Sequence, residues 1–395
     1  MTAAAVSPMR VLRVLTRPNL GGPTRQAIAL WHAMQPLAVR TLLVTGRVGA
    51  GETMLDPAAH GVPRLEFAAA LAAGPLAEGV VELPDLGRSW APLRERAVRA
   101  QLRALVRSFR PDVVHTHTSK AGWLGRDAAR AERVPVVAHT FHGHVLDGYF
   151  PFPIAWWLAR LERRLARGTD LVFTVSASCA DELAAKGVVG RDRFLVIPPA
   201  VALPPRRSRD EARRNLGIPP GERRVAAIGR LVPIKRLGDF VAAVARCPGL
   251  HGDLVGDGPQ RQMLQALCEQ LAPGRVHLRG AVPGIAADLA AYDGLVLPSV
   301  REGWPLVALE AFAANVPVVG YDVPGVRDAL AQGRGMLVPE TAGPAGLADT
   351  LQELANGPRG LGSMLAAAAA FVPQCAPDRV ARGIRAAYAT ALSRR

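Results

Sequence analysis

Two glutamates flank a predicted helix start in the second half of the chain. A short apolar run, typical of a buried strand, leads into a polar loop that carries Glu302. Pro305 is predicted as the first helical residue, where its missing N–H costs nothing. The unpaired amides of Leu306 and Val307 would then suit an anion, and Glu310 falls on the second turn. Carboxylates beside an anion site suit sugar or ribose hydroxyls, although two ordinary surface glutamates remain the alternative.

Two permanent cations follow an earlier predicted strand. Gly229 and Arg230 come directly after it, and Lys235 lies a few residues further on. Together they place at the carboxyl end of a strand the positive charge that a diphosphate needs. A glycine turn at Gly256 follows the next strand. A basic surface loop remains the alternative.

The first predicted strand, Met9–Leu15, is followed by a glycine pair. Gly21 and Gly22 precede a helix predicted from Arg25, and they allow the backbone to approach a ligand closely. The spacing is not G-x-G-x-x-G, so a nicotinamide cofactor is not indicated. A tight strand-to-helix turn remains the alternative.

Strands and helices alternate through the chain, which predicts an α/β fold with parallel, doubly wound sheets and chemistry at the carboxyl ends of the strands. Proline-rich sequence near residue 200 breaks this alternation, and a second strand–helix series follows. We therefore predict one domain over residues 1–200, another over 201–375, and a C-terminal helix over 376–395 that packs back on the first domain.

Histidines concentrate between residues 115 and 144, at the ends of two predicted strands. They are His115, His117, His139, His142 and His144. A metal site is one interpretation, but the residues come from different strand ends and no carboxylate spacing completes a familiar ligand set. The chain also contains no Asp-x-Asp sequence. We therefore expect chemistry that needs no metal.

The composition narrows the class of protein. The net charge is +15, but few aromatics interleave the basic residues and no nucleic-acid module signature is present, so nucleic acid is not an expected partner. The four cysteines are scattered without a C-x-x-C pair, which fits a reduced cytoplasm. Neither a membrane-spanning apolar run nor a secretory signal is found, so a cytoplasmic location is expected.

Four stretches, in order, resemble family 4 of the retaining, nucleotide-sugar-dependent glycosyltransferases, which have the GT-B fold. They are residues 229–236, 254–259, 302–310 and 323–339, and the Gly21-Gly22 loop and residues 140–144 also look like counterparts. The resemblance implies two doubly wound Rossmann-like domains facing each other across a deep cleft. It also implies sugar transfer from a nucleoside diphosphate sugar, by a same-face displacement assisted by the diphosphate.

The resemblance implies residue roles as well. Arg230 and Lys235 would neutralise the leaving diphosphate, and His142 would face the sugar from the first domain. Glu302 and the amides after it would hold the sugar and the terminal phosphate, while Glu310 would accept ribose hydroxyls. The implied catalytic residues are Arg230, Lys235, Glu302 and His142; the implied donor-binding residues are Gly21, Gly22, Gly229, Gly256, Gly280, Val282, Gly303, Trp304, Pro305, Leu306, Val307 and Glu310.

Substrates and partners follow less closely from the sequence. On family grounds the favoured donor is a UDP-sugar carrying a hexosyl or N-acetylhexosaminyl group, and the acceptor is a lipid-linked glycan precursor or a small molecule. Basic amphipathic helices over 92–109 and 156–167 could lie on the anionic inner face of the cell membrane, unless they are solvated faces of core-packed helices. A sugar-nucleotide epimerase and a non-catalytic binding module are the alternatives to the transferase.

Overall fold

The protein divides into two compact units. The structure, a computed structural model, describes residues 8–49, 52–87, 91–143, 146 and 152–395. One unit is Met1–Ala202 together with Gln374–Arg395, and the other is Leu203–Pro373. These boundaries lie close to the positions 200 and 375 expected from the sequence, and the last helix belongs to the first unit.

The first unit is built on a parallel sheet. Its strands are β1 (Met9–Leu15), β2 (Val39–Thr45), β3 (Arg64–Leu65), β4 (Gly79–Glu82), β5 (Val113–His117), β6 (Val136–Phe141), β7 (Leu171–Thr174) and β8 (Phe194–Val196). Over the residues that the structure describes, their order is β3-β4-β2-β1-β5-β6-β7-β8. The central strands are almost continuously buried, as expected where helices cover both faces of a sheet.

Helices connect most successive strands of the first unit. They are α1 (Gly22–Met34), α2 (Phe67–Ala73), α3 (Pro92–Phe109), α4 (Ser119–Ala131), α5 (Phe152–Ala166) and α6 (Ala177–Ala185). On one face of the sheet, Leu102 and Phe109 of α3 pack with Leu12 and Val114. Elements α2, β3 and β4 lie in the Gly- and Ala-rich stretch that the sequence alone does not assign.

The second unit repeats the architecture. Its strands are β9 (Arg223–Ile228), β10 (Leu250–Val255), β11 (Val276–Gly280), β12 (Gly294–Leu297), β13 (Val318–Tyr321) and β14 (Met336–Val338). They form a parallel sheet in the order β11-β10-β9-β12-β13-β14. The helices are α7 (Arg209–Leu216), α8 (Leu237–Ala245), α9 (Arg261–Leu271), α10 (Leu306–Ala313), α11 (Val326–Leu330), α12 (Gly343–Ala355) and α13 (Leu361–Phe371).

A last helix, α14 (Pro377–Leu392), returns to the first unit and packs against α1. Its buried residues Ile384 and Tyr388 join a core with Leu30 and Met34 of α1 on the second face of the first sheet. The helix therefore completes the cover of that sheet, as a doubly wound fold requires.

Each sheet has a point where the strand order reverses. In the first sheet β1 lies between β2 and β5, and in the second β9 lies between β10 and β12. Ligands of doubly wound sheets bind outside the carboxyl ends of the strands at such a switch point. We therefore expect a ligand site in each unit at the loops that follow β1 and β5 in the first sheet and β9 and β12 in the second.

Candidate active site

The loop after β9 folds its lysine back over the end of the strand. Lys235 lies in a single 3₁₀ turn, Pro233–Lys235. A Cβ built on Gly229 would lie 3.6 Å from the Lys235 Cε atom, so the ammonium stem crosses the first residue after β9. Arg230 is exposed, and its guanidinium forms no ion pair with any residue that the structure describes. The loop thus offers one held cation and one accessible cation.

Lys235 and Glu302 form an ion pair across the switch point. The Lys235 Nζ atom donates to Glu302 Oε1, and the Ser299 hydroxyl donates to the same oxygen over 2.6 Å. The two charged side chains are only 23% and 13% exposed. An anion arriving at Lys235 must share the ammonium, which has three protons, or displace Glu302 from it. The sequence predicted both residues but not this contact.

Backbone hydrogen bonds fix the loop that carries Glu302. The Val300 amide donates to the Ile234 carbonyl over 2.9 Å, and the Glu302 amide donates to the Pro324 carbonyl over 3.0 Å. Gly325 has φ +80°, and a Cβ there would lie 2.2 Å from the Glu302 carbonyl oxygen. The loops after β9, β12 and β13 are therefore held together before any ligand binds, which is the preorganisation that electrostatic catalysis requires.

Helix α10 begins one residue later than the sequence indicated. Pro305 is its N-cap, with φ −75° and ψ 101°, and not its first helical residue, because its extended ψ cannot continue into a helical turn. The helix still directs the amides of Leu306 and Val307 out of its first turn, where helix geometry supplies them no acceptor. Glu310 is buried on the second turn, at 6% exposed. The amides predicted for the anion site are therefore still those of the first turn, and anion binding there stays a prediction.

Three glycines bring neighbouring strand ends together. Gly256 has φ +141°, and a Cβ there would lie 1.9 Å from the Gly229 carbonyl oxygen. The Gly256 amide donates to the Gly280 carbonyl over 2.7 Å. Gly229, Gly256 and Gly280 therefore line up at the carboxyl ends of β9, β10 and β11. Val282 lies just beyond them in the same loop.

Trp304 has a packing role in the structure. Its ring, 9% exposed, stacks on Phe371 of α13 with ring centroids 5.8 Å apart. The Arg334 guanidinium lies over the same phenyl ring at 4.3 Å. Together with Gly303, Trp304 leads into the N-cap of α10. Any contact of its ring with a donor stays a prediction.

The glycine pair of the first unit lies inside a helix start. Helix α1 begins at Gly22 with Gly21 as N-cap, and not at Arg25 as the sequence indicated, because Pro23 fits the first turn. The preceding loop is held from outside: the Leu20 amide donates to the Thr53 carbonyl over 2.8 Å. Arg17 forms an ion pair with Glu52 at 2.6 Å. The loop after β1 is therefore anchored, with its glycines at the helix tip.

His142 lies beside His117 at the carboxyl ends of β6 and β5. His142 Nε2 and His117 Nδ1 are 2.9 Å apart, and Arg13 of β1 reaches the other nitrogen of His117. Burial and the Arg13 charge lower the pKa of His142 to about 3. His142 is therefore a neutral imidazole at physiological pH. Sequence reasoning missed Arg13 and Tyr388, which lie far along the chain from their partners, and it missed Ser299, which lies three residues from Glu302.

Two other histidines of the 115–144 cluster, His115 and His139, lie beside hydroxyl groups. His115 contacts the Tyr388 hydroxyl through Nδ1 and Thr140 Oγ1 through Nε2, the latter at 2.7 Å. His139 Nδ1 lies 2.8 Å from Thr116 Oγ1. His144 lies outside the described residues. Among the residues that are described, no group of three or more histidine, cysteine, aspartate or glutamate side chains could hold a metal ion.

Two family models match most of the chain. A model of group 1 glycosyl transferases matches residues 222–357. A model of Glycosyltransferase Family 4 matches residues 58–203. The first model falls within the second unit and covers the Lys235–Glu302 pair, and the second model lies in the first unit except for its last residue.

Curated relatives carry glycosyltransferase names. The D-inositol 3-phosphate glycosyltransferase of Nocardia farcinica is 28% identical over 96% of this chain and 87% of its own length. The enzyme of the same name from Segniliparus rotundus is 30% identical over 72% of this chain and 67% of its own. The 2-deoxystreptamine N-acetyl-D-glucosaminyltransferase of Streptomyces fradiae is 32% identical over 62% of each protein.

Solved structures share the fold. Sucrose-phosphate synthase from Thermosynechococcus elongatus superposes with a TM-score of 0.76 at 20% identity, covering 98% of this chain and all of that one. Anabaena HepE in complex with UDP-glucose gives 0.74 at 19%, covering 97% of this chain and all of that one. A putative UDP-N-acetylglucosamine 2-epimerase from Listeria monocytogenes gives 0.63 at 15%, covering 98% of each chain.

The last of these structures shows that the architecture alone does not separate a transferase from an epimerase, whereas the family models and the curated relatives all indicate a transferase. The chain therefore belongs to family 4 of the glycosyltransferases, and it is a glycosyltransferase of the GT-B fold.

Proposed function

We propose that this glycosyltransferase uses a UDP-sugar, transfers the sugar with retention of anomeric configuration, and needs no metal ion. The observation that carries the proposal is the Lys235–Glu302 pair, held at the switch point of the second sheet beside the first turn of α10. Cations, helix amides and carboxylates lie there on neighbouring loops. A nucleoside diphosphate sugar has matching parts: a diphosphate for the cations and amides, and hydroxyls for the carboxylates.

The charge of each residue determines which part of the donor it contacts. Lys235 and Arg230 neutralise the diphosphate as the bond between the anomeric carbon and its oxygen breaks. The amides of Leu306 and Val307 hold the terminal phosphate. Glu302, once the diphosphate engages Lys235, accepts hydroxyls of the sugar. The acceptor oxygen attacks the anomeric carbon on the face that the diphosphate leaves, and the acceptor proton passes to a departing phosphate oxygen.

Glu310 is the proposed acceptor for the ribose hydroxyls, because it is a buried carboxylate one turn from the anion site. Thermal unfolding with added UDP tests this assignment, since a ligand bound to the folded state raises Tm. We expect UDP to stabilise the wild-type protein. We expect Glu310→Ala to lose most of that shift, because the loss of a charged hydrogen-bond partner weakens binding roughly tenfold or more.

Two comparisons sharpen this experiment. The exposed Glu353→Ala in α12 is the matched control, and its UDP shift should equal that of the wild type. The shift and the turnover should also be unchanged by a chelator. An unchanged shift in Glu310→Ala would contradict the ribose assignment, and loss of activity in chelator would revive a metal-dependent mechanism.

We further propose that α5 rests on an anionic membrane surface. Ile154, Trp156 and Trp157 are 47%, 53% and 43% exposed, and exposed arginines follow them at Arg160 and Arg164. Tryptophan with arginine on one exposed helix face suits the boundary of an anionic bilayer. Among the described residues, no helix has the length and apolar character to cross a bilayer. A lipid-linked acceptor fits this placement.

Helix α3, the other basic helix, is less suited to lipid. Arg99 pairs with Asp127 at 2.8 Å, and both Arg103 and Arg107 pair with Glu132, at 2.5 and 3.0 Å. These ion pairs hold α3 on α4 and on Glu132, the residue that follows α4, so two carboxylates offset most of the charge of the three arginines. The alternative stated for the basic helices, that of solvated faces on core-packed helices, is thus favoured for α3.

Vesicle co-sedimentation tests the membrane proposal. We expect the protein to bind vesicles rich in phosphatidylglycerol more tightly than neutral phosphatidylcholine vesicles. Trp156→Ser should weaken binding roughly tenfold, because it removes one large apolar contact with the interface. Leu93→Ser, which changes an 83% exposed apolar residue on α3, is the control that should bind normally. Equal binding of both vesicle types, or a Trp156→Ser protein that binds as wild type does, would contradict the proposal.

A further inference from the structure

An arginine is fully buried in the core of the first unit. Arg13 lies on β1, opposite His115 of β5, and its exposed fraction is 0%. Among the residues that the structure describes, no carboxylate forms an ion pair with it. A buried cation without a counter-charge is costly, so its presence calls for a role. Its neighbours are the histidines that end β5 and β6.

The arginine starts a chain of hydrogen bonds that ends at His142. Arg13 Nη1 lies 2.8 Å from His117 Nε2, and His117 Nδ1 lies 2.9 Å from His142 Nε2. A guanidinium can only donate, so His117 Nε2 must accept and its proton must sit on Nδ1. That proton is then donated to His142 Nε2. In a neutral His142 the remaining proton is therefore on Nδ1.

The surrounding groups fix the positions of these hydrogen-bonded side chains and keep the imidazoles neutral. The His115 ring, anchored by Tyr388 of α14 and by Thr140, stacks on His117 with centroids 4.4 Å apart. Burial, Arg13 and neighbouring histidines lower the pKa of His117 well below its usual value. The backbone after His117 is also constrained, since Thr118 has φ +64° and its hydroxyl lies 2.6 Å from Thr16 Oγ1.

We propose that Arg13 and His117 are positioning residues that fix His142 as a neutral imidazole with its proton on Nδ1, ready to donate one hydrogen bond to an oxygen of the transferred sugar. The part that concerns the sugar rests on the function proposed above. The fixed tautomer does not, because it follows from the donor-only chemistry of Arg13. Without the guanidinium, the hydrogen bonds from position 13 through His117 to His142 can reverse their direction. His142 then presents a lone pair to the sugar instead of a proton.

Nuclear magnetic resonance of the unliganded protein, with histidine labelled in the ring, tests the tautomer directly. The His142 signal is identified by its absence in His142→Gln. We expect the wild type to show His142 neutral and protonated on Nδ1 from pH 5 to pH 8. In Arg13→Met, we expect the signal to change tautomer or to titrate within that range, because removal of the positive charge raises the pKa of His142. Groups near the ring are Arg13, His115, His117 and His139.

Arg10→Met is the matched control, since Arg10 lies at the far end of the same strand and pairs with Asp112 at the surface. Its His142 signal should match that of the wild type. A wild-type His142 protonated on Nε2, or the same signal in Arg13→Met as in wild type, would overturn the proposal. Because this measurement uses no substrate, its outcome is independent of which sugar is transferred.

Kinetics then test whether the tautomer matters for transfer. Arg13→Met should lower kcat about tenfold, the effect of losing one hydrogen bond, with little change in the donor KM. Arg13→Lys, which keeps the charge and a donor, should recover part of the loss. In a His142→Ala background, Arg13→Met should have no further effect, because its influence passes through His142. An undiminished tenfold loss in that background would assign Arg13 a structural role and overturn the proposal.

Discussion

Replacement of Lys235 by alanine is expected to lower turnover by on the order of 10²-fold or more. The ammonium forms an ion pair with Glu302, and without it the departing diphosphate loses a positive charge as its bond to the sugar breaks. The substitution also leaves Glu302, which is only 13% exposed, as an uncompensated negative charge beside an anion. Steady-state kinetics with saturating donor would measure the loss as a change in kcat.

Lys186→Ala is the matched control for this substitution. Lys186 is half-buried and lies in the first unit, outside the proposed donor site, so its loss should leave kcat unchanged. A normal kcat in Lys235→Ala would count against the assignment of the diphosphate to the loop after β9. A loss confined to the donor KM would show that Lys235 binds the ground state and the transition state equally.

Gly256→Ala is expected to lower both stability and activity. The residue has φ +141°, which an alanine rarely adopts, and its Cβ would lie 1.9 Å from the Gly229 carbonyl oxygen. The strain and the clash together should reduce the free energy of unfolding by about 3 kcal/mol. The loop from Gly229 to Lys235 must shift to relieve the clash, and a shift of about 1 Å at a catalytic group costs roughly 10²-fold in rate. Denaturant unfolding and kcat measure the two effects.

Gly274→Ala separates the backbone strain from the clash. Gly274 has φ +68° in the same unit, but a Cβ there would meet no atom within 4 Å. We expect this variant to lose only about 1 kcal/mol of stability and to keep normal activity. If Gly256→Ala kept its full activity after folding, the close approach of Gly256 to Gly229 would have no bearing on the site.

Much of the fold was predictable because it depends on local pattern. The bounds of β1 and those of α3 follow from an apolar run and from helical periodicity, and the structure has them where the sequence indicated. The sequence placed the start of α10 one residue too early and the start of α1 three residues too late. Both helices have a proline near the start, and a proline there fits more than one helix position. Element α2 and its neighbours were missed because alanine-rich sequence has no clear apolar face.

The members of the site were easier to predict than their contacts. Lys235 and Glu302 stand out by type and position, but the hydrogen bond between them joins two loops that are brought together only by the order of the strands. Arg13 looked like one more residue in an apolar strand, and only the register of β1 against β5 places it beside the histidines. Long-range pairing of this kind leaves no local pattern in one sequence.

A structure of the protein bound to UDP would show directly whether the loop after β9 binds the diphosphate. We expect Lys235 Nζ and the Arg230 guanidinium to lie within hydrogen-bond distance of diphosphate oxygens, with Glu302 turned from Lys235 toward the position of the sugar. A diphosphate bound away from residues 229–235, with the Lys235–Glu302 pair unchanged, would contradict it.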